Sequence, residues 1–177
     1  AGDAQLFGDY GHCLNLGGFA NISFEKNGKR LAFDICPVNI VLNHLAPPFD
    51  KNGEKGKFGK ASTGLLEKLN QLKFYKQQPP KSLGKEWLEK EFMPLVNAAD
   101  LTIEDKLRTV YEHIAQQIAV HLKDSHTQTL VTGGGAFNTF LMGLLKQHSV
   151  SELTVPGKNL VEFKEALIFA FLGEEVS

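Results

Sequence analysis

The sequence has 177 residues, of which 42% are apolar, and its formal net charge at pH 7 is −1. This length allows one sizeable core and therefore one domain, and the balanced charge argues against nucleic acid as a partner. Two cysteines, Cys13 and Cys36, are too few for a disulfide framework, and no apolar segment approaches the roughly 20 residues of a membrane-spanning helix. We therefore expect a reduced, cytoplasmic protein that does not bind membranes.

Three β-strands are predicted near the N-terminus, because short β-prone segments alternate there with turn residues. They cover residues 13–16, 20–26 and 29–34. Asn27-Gly28 lies between the last two strands, and this pair is the strongest short hairpin signal since both residues tolerate positive φ. An antiparallel meander is the expected result. Pro37 suits the first position of a helix, so a short helix is predicted from there to the residues before Pro47-Pro48.

An insertion of loops and helices is predicted at about 47–100. Residues 49–60 contain three glycines and no hydrophobic period, which indicates a surface loop. Leucines at helical spacing then follow Ser62 or Thr63 as the capping residue. After a second irregular stretch, a further helix is expected around Trp87.

The clearest predicted helix begins at Thr102, whose hydroxyl can cap it while Asp105 returns the contact three residues later. Apolar residues recur on one face of this helix over about five turns, so the helix should pack on the sheet. The remaining elements alternate between strand and helix. They are a strand at 129–132, a glycine turn at 133–135, a helix at 137–146, a strand at 153–155 and a helix at 161–172.

This order of elements predicts an α/β fold. Three antiparallel strands followed by two parallel ones match a ribonuclease-H-like lobe, in which a mixed five-stranded sheet is flanked by helices. Actin-like ATPases and sugar kinases use two such lobes. The sequence holds one copy and begins at Ala1 rather than at a methionine. We therefore expect residues 1–177 to be a single C-terminal lobe whose N-terminal partner lobe is absent.

Two glycine-rich turns are candidate phosphate sites. Gly17-Gly18 joins the first two strands, and Gly133-Gly134-Gly135 lies between a strand and a helix. Glycine lets backbone N–H groups approach an anion without a Cβ in the way, and a helix N-terminus adds a partial positive charge. The first turn also has a plain alternative, a tight hairpin without a ligand. The second turn has the spacing of neither a dinucleotide fingerprint nor a P-loop.

Taken in order, five segments resemble the anhydro-N-acetylmuramic acid kinase family. They are residues 14–22, 33–39, 79–86, 131–138 and 165–170. The resemblance covers nearly the whole chain. It implies an actin-like, sugar-kinase-type fold with ATP in the cleft between two lobes, and phosphorylation of 1,6-anhydro-N-acetylmuramic acid at O6. Water would open the anhydro ring, and the product would be N-acetylmuramic acid 6-phosphate, as in cell-wall recycling.

The resemblance assigns roles to three polar residues. Asp34 matches the family's catalytic base and would take a proton from water, although an aspartate there also suits a cap of the next helix. Asn39 and Glu165 match residues near the sugar, and Glu165 equally suits the solvated start of an amphipathic helix. The chain departs from the family at Cys36 and Val38, where glycine is usual.

The resemblance also assigns the nucleotide contacts and the metal. The contacts with ATP fall to the two glycine turns, that is to Gly17, Gly18, Gly133, Gly134 and Gly135. Asn138 either reaches the ribose or caps the helix that it opens. Lys85, where the family more often has arginine, either contacts substrate or forms a structural ion pair. No histidine lies in metal-ligand spacing, so Mg²⁺ is expected to arrive with ATP, held by phosphates and water.

Several functions remain open from the sequence. The leading one is a sugar kinase whose partners are ATP, the sugar and the missing N-terminal lobe, with a homodimer left open. The isolated chain should then have little or no activity, because phosphoryl transfer needs a closed cleft. The alternatives are a kinase of another amino sugar, a non-catalytic sensor of sugar or nucleotide, and a structural module that keeps the fold without a ligand.

Overall fold

The computed structural model of the chain describes residues 11–123 and 127–156. Within these residues the strands form one five-stranded sheet in the order β3-β2-β1-β4-β5. The strands are β1 (His12–Leu16), β2 (Phe19–Lys26), β3 (Lys29–Pro37), β4 (Gln128–Thr132) and β5 (Glu152–Thr154). Strands β1 to β3 pair antiparallel, whereas β4 pairs parallel with both β1 and β5. The predicted mixed sheet is confirmed.

The turn between β2 and β3 forms as the sequence predicts. Asn27 and Gly28 both have positive φ, 54° and 78°, which lets a two-residue turn follow the twist of the strands. The predicted helix start at Pro37 is wrong. Pro37 ends β3 opposite Phe19, and the helix α1 (Asn39–Leu45) begins two residues later. Proline is tolerated there because β3 lies at the edge of the sheet.

Helices cover the sheet and build the insertion. In the described part of the chain they are α1, α2 (Glu54–Phe58), α3 (Thr63–Asn70), α4 (Lys85–Trp87), α5 (Met93–Ala98), α6 (Ile103–Ala119) and α7 (Thr139–His148). A π-helical turn, Leu88–Phe92, joins α4 to α5. The longest helix, α6, buries Leu107, Val110 and Ile114 completely. It contacts β3, α7 and the insertion helices α2 and α3, so it is the centre of the core.

The start of α6 shows one predicted contact and one correction. The Thr102 hydroxyl accepts a hydrogen bond from the Asp105 N–H at 3.1 Å, as expected of a capping residue. The Asp105 carboxylate does not return that contact. It accepts instead from the N–H of Lys60 at 2.9 Å, so it ties the insertion to α6.

Residues 49–60 are not the surface loop that the sequence predicts. They contain a 3₁₀ turn and α2, and their three glycines are all buried. A Cβ at Gly56 would lie 2.3 Å from the Tyr111 ring, and one at Gly59 would lie 1.9 Å from the Glu104 carbonyl oxygen. These glycines therefore let α2 pack directly on α6, so the absence of a side chain explains them better than flexibility does.

A buried histidine joins the insertion to α6. His113 is fully buried, with Nδ1 2.6 Å from the Asn70 side-chain oxygen and Nε2 2.7 Å from the Tyr75 hydroxyl. Because an amide oxygen can only accept, Nδ1 carries the proton and Nε2 accepts from Tyr75. Burial lowers the pKa of His113 to about 3, so the ring is neutral in the folded protein.

We expect this histidine to make stability depend on pH. Its pKa falls from 6.5 to about 3 on folding, so between these values the unfolded chain binds more protons and the folded state loses stability as the pH drops. From pH 7 to pH 5 the free energy of unfolding should fall by about 2 kcal/mol through His113 alone. Urea unfolding at both pH values measures this. His113→Gln should remove that part of the difference, and an unchanged difference would contradict the expectation.

The C-terminal elements agree with the prediction where the structure describes them. Helix α7 begins at Thr139, because Asn138 caps it and accepts a hydrogen bond from the Leu141 N–H at 3.0 Å. Strand β5 starts one residue before the predicted position. The predicted helix at 161–172 lies outside the described residues. Among the residues that are described, no helix has the length and apolar character needed to cross a membrane.

Candidate functional site

The first glycine turn lies against the start of α1. The Gly18 carbonyl accepts a hydrogen bond from the Val38 N–H at 2.8 Å, and the Gly17 carbonyl accepts from the Asn39 N–H at 3.2 Å. These carbonyls satisfy N–H groups that the beginning of a helix leaves unpaired. The Asn39 side chain adds a contact, because its Nδ2 donates to the Leu16 carbonyl at 3.1 Å. The turn and the start of α1 therefore form one unit.

The second glycine turn packs onto β1. Gly133 has a φ of 88°, and a Cβ there would lie 2.4 Å from the Asn15 side-chain oxygen. A Cβ at Gly135 would lie 2.7 Å from the Leu16 Cβ. Backbone conformation and packing therefore require glycine at these two positions. Both glycine turns meet at the end of β1.

The other three glycines have room for a side chain. The nearest atom to an added Cβ would lie at 3.6 Å for Gly17, at 3.9 Å for Gly18 and at 3.8 Å for Gly134. These are ordinary van der Waals distances, and none of the three residues has a positive φ. The fold itself does not demand glycine there, whereas a ligand that approaches the backbone closely would.

A cavity of about 440 Å³ opens beside Gly134. Its lining includes three residues that the sequence nominates, Asn39, Gly134 and Asn138, together with Phe137. The insertion forms the opposite wall with residues 48–52. This volume suits a small-molecule ligand, because such sites typically measure about 300–1,000 Å³.

Asp50 and Tyr111 are lining residues that the sequence analysis missed, and their polar groups contact each other. Asp50 is only 6% exposed, and the Tyr111 hydroxyl donates to its Oδ2 at 3.0 Å. Burial, together with the Asp50 charge, raises the pKa of Tyr111 well above its usual value, so the hydroxyl stays protonated. Asp50 lies in the segment predicted as a loop and Tyr111 among the apolar residues of α6. Neither position gave a signal that could have separated it from its neighbours.

Asn138 uses both ends of its side-chain amide within the protein. Oδ1 accepts from the Leu141 N–H and caps α7, and Nδ2 donates to the Tyr111 hydroxyl at 2.8 Å. The capping role that the sequence left open is therefore observed. A contact with a ribose would use the second Nδ2 hydrogen and stays a prediction.

Asp34 lies within β3 and not at its end. Its alternative role as a helix cap is wrong, because Val38 occupies the position before α1 and no side chain caps that helix. The Asp34 Oδ2 accepts from the Leu83 N–H at 2.7 Å, and the Asp34 N–H donates to the Lys81 carbonyl at 3.1 Å. Residues 81–83 therefore cover the free edge of β3. Asp34 does not line the cavity beside Gly134.

A row of polar residues crosses the sheet from Asp34. Asp34 is the register partner of Asn21, and Asn21 is that of Asn15. Asn15 pairs in turn with Thr132. Register partners place their side chains on the same face of a sheet, and all four residues are partly exposed. Because Thr132 directly precedes the second glycine turn, the row spans about 14 Å between Asp34 and that turn.

The departure from the family pattern lies in the core. The side chains of Cys36 and Val38 are completely buried among apolar residues, and burial raises the pKa of the Cys36 thiol. Neither residue lines the cavity. Side chains in place of the two glycines therefore add core packing and leave the cavity open.

Lys85 and Glu165 are the remaining candidate residues. Lys85 is exposed, and its Nζ is 3.9 Å from the carboxylate of Glu89 one turn further along the helix. The ion pair that the sequence left open for Lys85 is therefore observed. Glu165 lies outside the described residues, and its role stays a prediction.

Comparison with known proteins identifies relatives over nearly the whole chain. The family model for anhydro-N-acetylmuramic acid kinase matches residues 8–176. The kinase of that name from Mannheimia succiniciproducens is 35% identical over 181 residues, covering 90% of this chain and 48% of its own length. The one from Vibrio cholerae is 34% identical over 184 residues, covering 91% of this chain and 47% of its own length. The chain thus spans about half the length of these curated relatives.

Two solved structures share the fold. The activator of the 2-hydroxyisocaproyl-CoA dehydratase from Clostridium difficile with bound ADPNP aligns with a TM-score of 0.50, covering 96% of this chain and 65% of its own. The (R)-2-hydroxyglutaryl-CoA dehydratase component A from Acidaminococcus fermentans aligns with a TM-score of 0.52, covering 94% of this chain and 62% of its own. At 15% sequence identity both carry a conclusion about fold alone, and they support the predicted α/β fold, a mixed five-stranded sheet flanked by helices.

Proposed function

This chain belongs to the anhydro-N-acetylmuramic acid kinase family, and we propose that it is the C-terminal, nucleotide-binding lobe of a sugar kinase of that family. The full-length protein would transfer the γ-phosphoryl group of ATP to O6 of 1,6-anhydro-N-acetylmuramic acid while water opens the anhydro ring. The observation that carries the proposal is the cavity at which Asn39, Gly134 and Asn138 meet in a member of a kinase family.

The nucleotide half of the proposal rests on the glycine turns. Gly134 borders the cavity and has room for a side chain that it lacks, so a nucleotide can lie against its backbone. Gly17 and Gly18 have similar room, and we assign them to the phosphates. Within residues 11–123 and 127–156 no group of acidic, histidine or cysteine side chains is arranged to hold a metal ion. Mg²⁺ would come with ATP, held largely by phosphate oxygens and water.

The chemical step in this proposal uses Asp34 as a general base. Its Oδ2 is engaged by the Leu83 N–H, which fixes the carboxylate and leaves Oδ1 for a water molecule. The water oxygen bonds to C1 of the sugar and gives its proton to Asp34, and the bond between C1 and O6 breaks. O6 then bonds to the γ-phosphorus as the bond to the ADP oxygen breaks. Asn21 is the register partner of Asp34 and would hold the same water.

Sugar binding is assigned to Asn39 and, outside the described residues, to Glu165. The rest of the sugar site would come from an N-terminal lobe of a longer polypeptide, since the curated relatives are about twice as long as this chain. The division into one lobe with an insertion at about 47–100 is part of the same proposal. The burial of Cys36 and Val38 removes the specific reason for the alternative of a non-catalytic sensor.

The test is an assay of the full-length protein with Mg·ATP and 1,6-anhydro-N-acetylmuramic acid in H₂¹⁸O. We expect ADP and a sugar phosphate that carries the ¹⁸O label on C1 and none on the phosphate, as mass spectrometry of the fragments can show. Label in the phosphate would mean that water attacks ATP and would contradict the proposal. Nucleotide binding without transfer would point to another sugar.

A matched pair of variants tests the nucleotide contacts. Gly134→Ala should keep the fold and raise the KM for ATP about ten-fold, because a methyl group then occupies the space of the ligand. Gly143→Ala adds the same methyl group on the exposed side of α7, where no atom lies within 4 Å, and should leave the KM unchanged. Equal KM values for the two variants would show that Gly134 does not contact the nucleotide.

A further inference from the structure

A chain of hydrogen bonds runs between the two walls of the cavity. On the insertion wall, Asp50 accepts from the N–H groups of Lys55 at 2.9 Å and Gly56 at 3.0 Å. Its Oδ2 also accepts from the Tyr111 hydroxyl, which in turn accepts from Asn138 Nδ2 on the opposite wall. The bonds therefore connect the first turn of α2, the central helix α6 and the cap of α7.

The direction of every bond in this chain is fixed. The Leu141 N–H faces Asn138 Oδ1, so Nδ2 must face Tyr111. The tyrosine then accepts from Asn138 and has its own hydrogen for Asp50, and an ionised carboxylate can only accept. An asparagine whose amide is held at both ends has one orientation, and its remaining Nδ2 hydrogen is fixed with it.

The side chains in this hydrogen-bond network are polar, which would be an unfavourable choice if their only role were to pack the core. Asp50 is nearly buried, and among the described residues no lysine, arginine or histidine forms an ion pair with it. A buried polar network of this kind is often no more stabilising than apolar side chains of the same size. The side chains of Asp50, Tyr111 and Asn138 all line the cavity.

We infer that Asp50 and Tyr111 are positioning residues for the nucleotide, acting through Asn138 on the wall that contains Gly134. The inference rests on the proposed function, because the cavity must be the nucleotide site. A second close approach supports it. Gly53 lies so near Asn138 that a Cβ added to this glycine would be 2.8 Å from Asn138 Oδ1. The insertion thus reaches the same asparagine through Gly53 and through the Asp50 and Tyr111 side chains.

The test compares two tyrosines, each of which belongs to a hydrogen-bond network that includes a residue of α6. Tyr111→Phe removes the hydroxyl between Asp50 and Asn138, and Tyr75→Phe removes the hydroxyl that contacts His113. Both variants lose one hydrogen-bonding hydroxyl and should show a lower Tm. In the full-length protein, Tyr111→Phe should raise the KM and the Kd for Mg·ATP about ten-fold while kcat stays within about two-fold. Tyr75→Phe should change only the Tm.

The outcomes separate this inference from the proposed function. A wild-type protein that does not bind Mg·ATP overturns the proposed function and the inference with it. A wild-type protein that binds Mg·ATP, with Tyr111→Phe unchanged in KM or no different from Tyr75→Phe, overturns the inference alone. Asp50→Asn keeps the size of the side chain and removes the charge. It should raise the KM for ATP in the same way, and an unchanged KM in that variant would exclude Asp50 from the role.

Discussion

Replacing Asp34 by asparagine in the full-length protein should lower kcat about 1,000-fold, because the amide cannot take a proton from water. The amide oxygen of Asp34→Asn can still accept the hydrogen bond from the Leu83 N–H, so the fold and the edge of β3 should be kept. The cavity lies away from Asp34, and the Kd for Mg·ATP should stay within about two-fold. Steady-state assays and calorimetric titration with Mg·ATP measure the two effects.

The matched control for this experiment is Asp105→Asn. Like Asp34, Asp105 accepts a backbone N–H from the insertion, here that of Lys60 at 2.9 Å, but it lies at the start of α6. Both substitutions remove one charge and keep the acceptor, so any effect of charge on the insertion appears in both. We expect turnover to survive in Asp105→Asn. Turnover that survives equally in Asp34→Asn would mean that Asp34 is not the general base and only holds residues 81–83 by hydrogen bonds.

The second large effect is expected at Gly59, where alanine should lower the free energy of unfolding by about 3 kcal/mol. The added Cβ would lie 1.9 Å from the Glu104 carbonyl oxygen and 2.4 Å from its carbon. These are backbone atoms at the start of α6, which cannot swing aside as a side chain would. Gly59 has a φ of −83°, which suits alanine, so the predicted loss comes from the collision alone.

Urea unfolding at neutral pH measures this loss. The control is Gly143→Ala, on the exposed side of α7, where alanine should raise the free energy of unfolding by up to about 1 kcal/mol through its better helix propensity. A loss below about 1 kcal/mol in Gly59→Ala would mean that α2 can move away from α6 at little cost. The contact between the insertion and α6 would then be loose.

Local signals explain what the sequence predicted correctly. Asn27-Gly28 specifies its own turn, and Thr102 caps α6 through a bond to a residue three positions away. Both depend only on neighbours in the chain. The strand order follows from such signals, because hairpins and strand-helix alternation leave few possible topologies.

Distant contacts explain what the sequence could not supply. Pro37 suits a helix start, yet its pairing with Phe19 keeps it in β3. The glycines of residues 49–60 indicated a loop, but the partners of Gly56 and Gly59 lie on α6, about 50 residues further along the chain. Asp50 and Tyr111 are separated by a similar stretch of sequence. No pattern within either segment reveals that they meet at one cavity.

The sheet has one buried, apolar face and one partly exposed, polar face. Leu14, Ile22 and Phe33 lie in register on the buried face, while Asn15, Asn21 and Asp34 form the polar row on the other. Selection can exchange residues of the polar row without repacking the interior. We expect sequence divergence among relatives of this chain to concentrate on every second residue of β1, β2 and β3, with the intervening positions held to apolar side chains of similar volume.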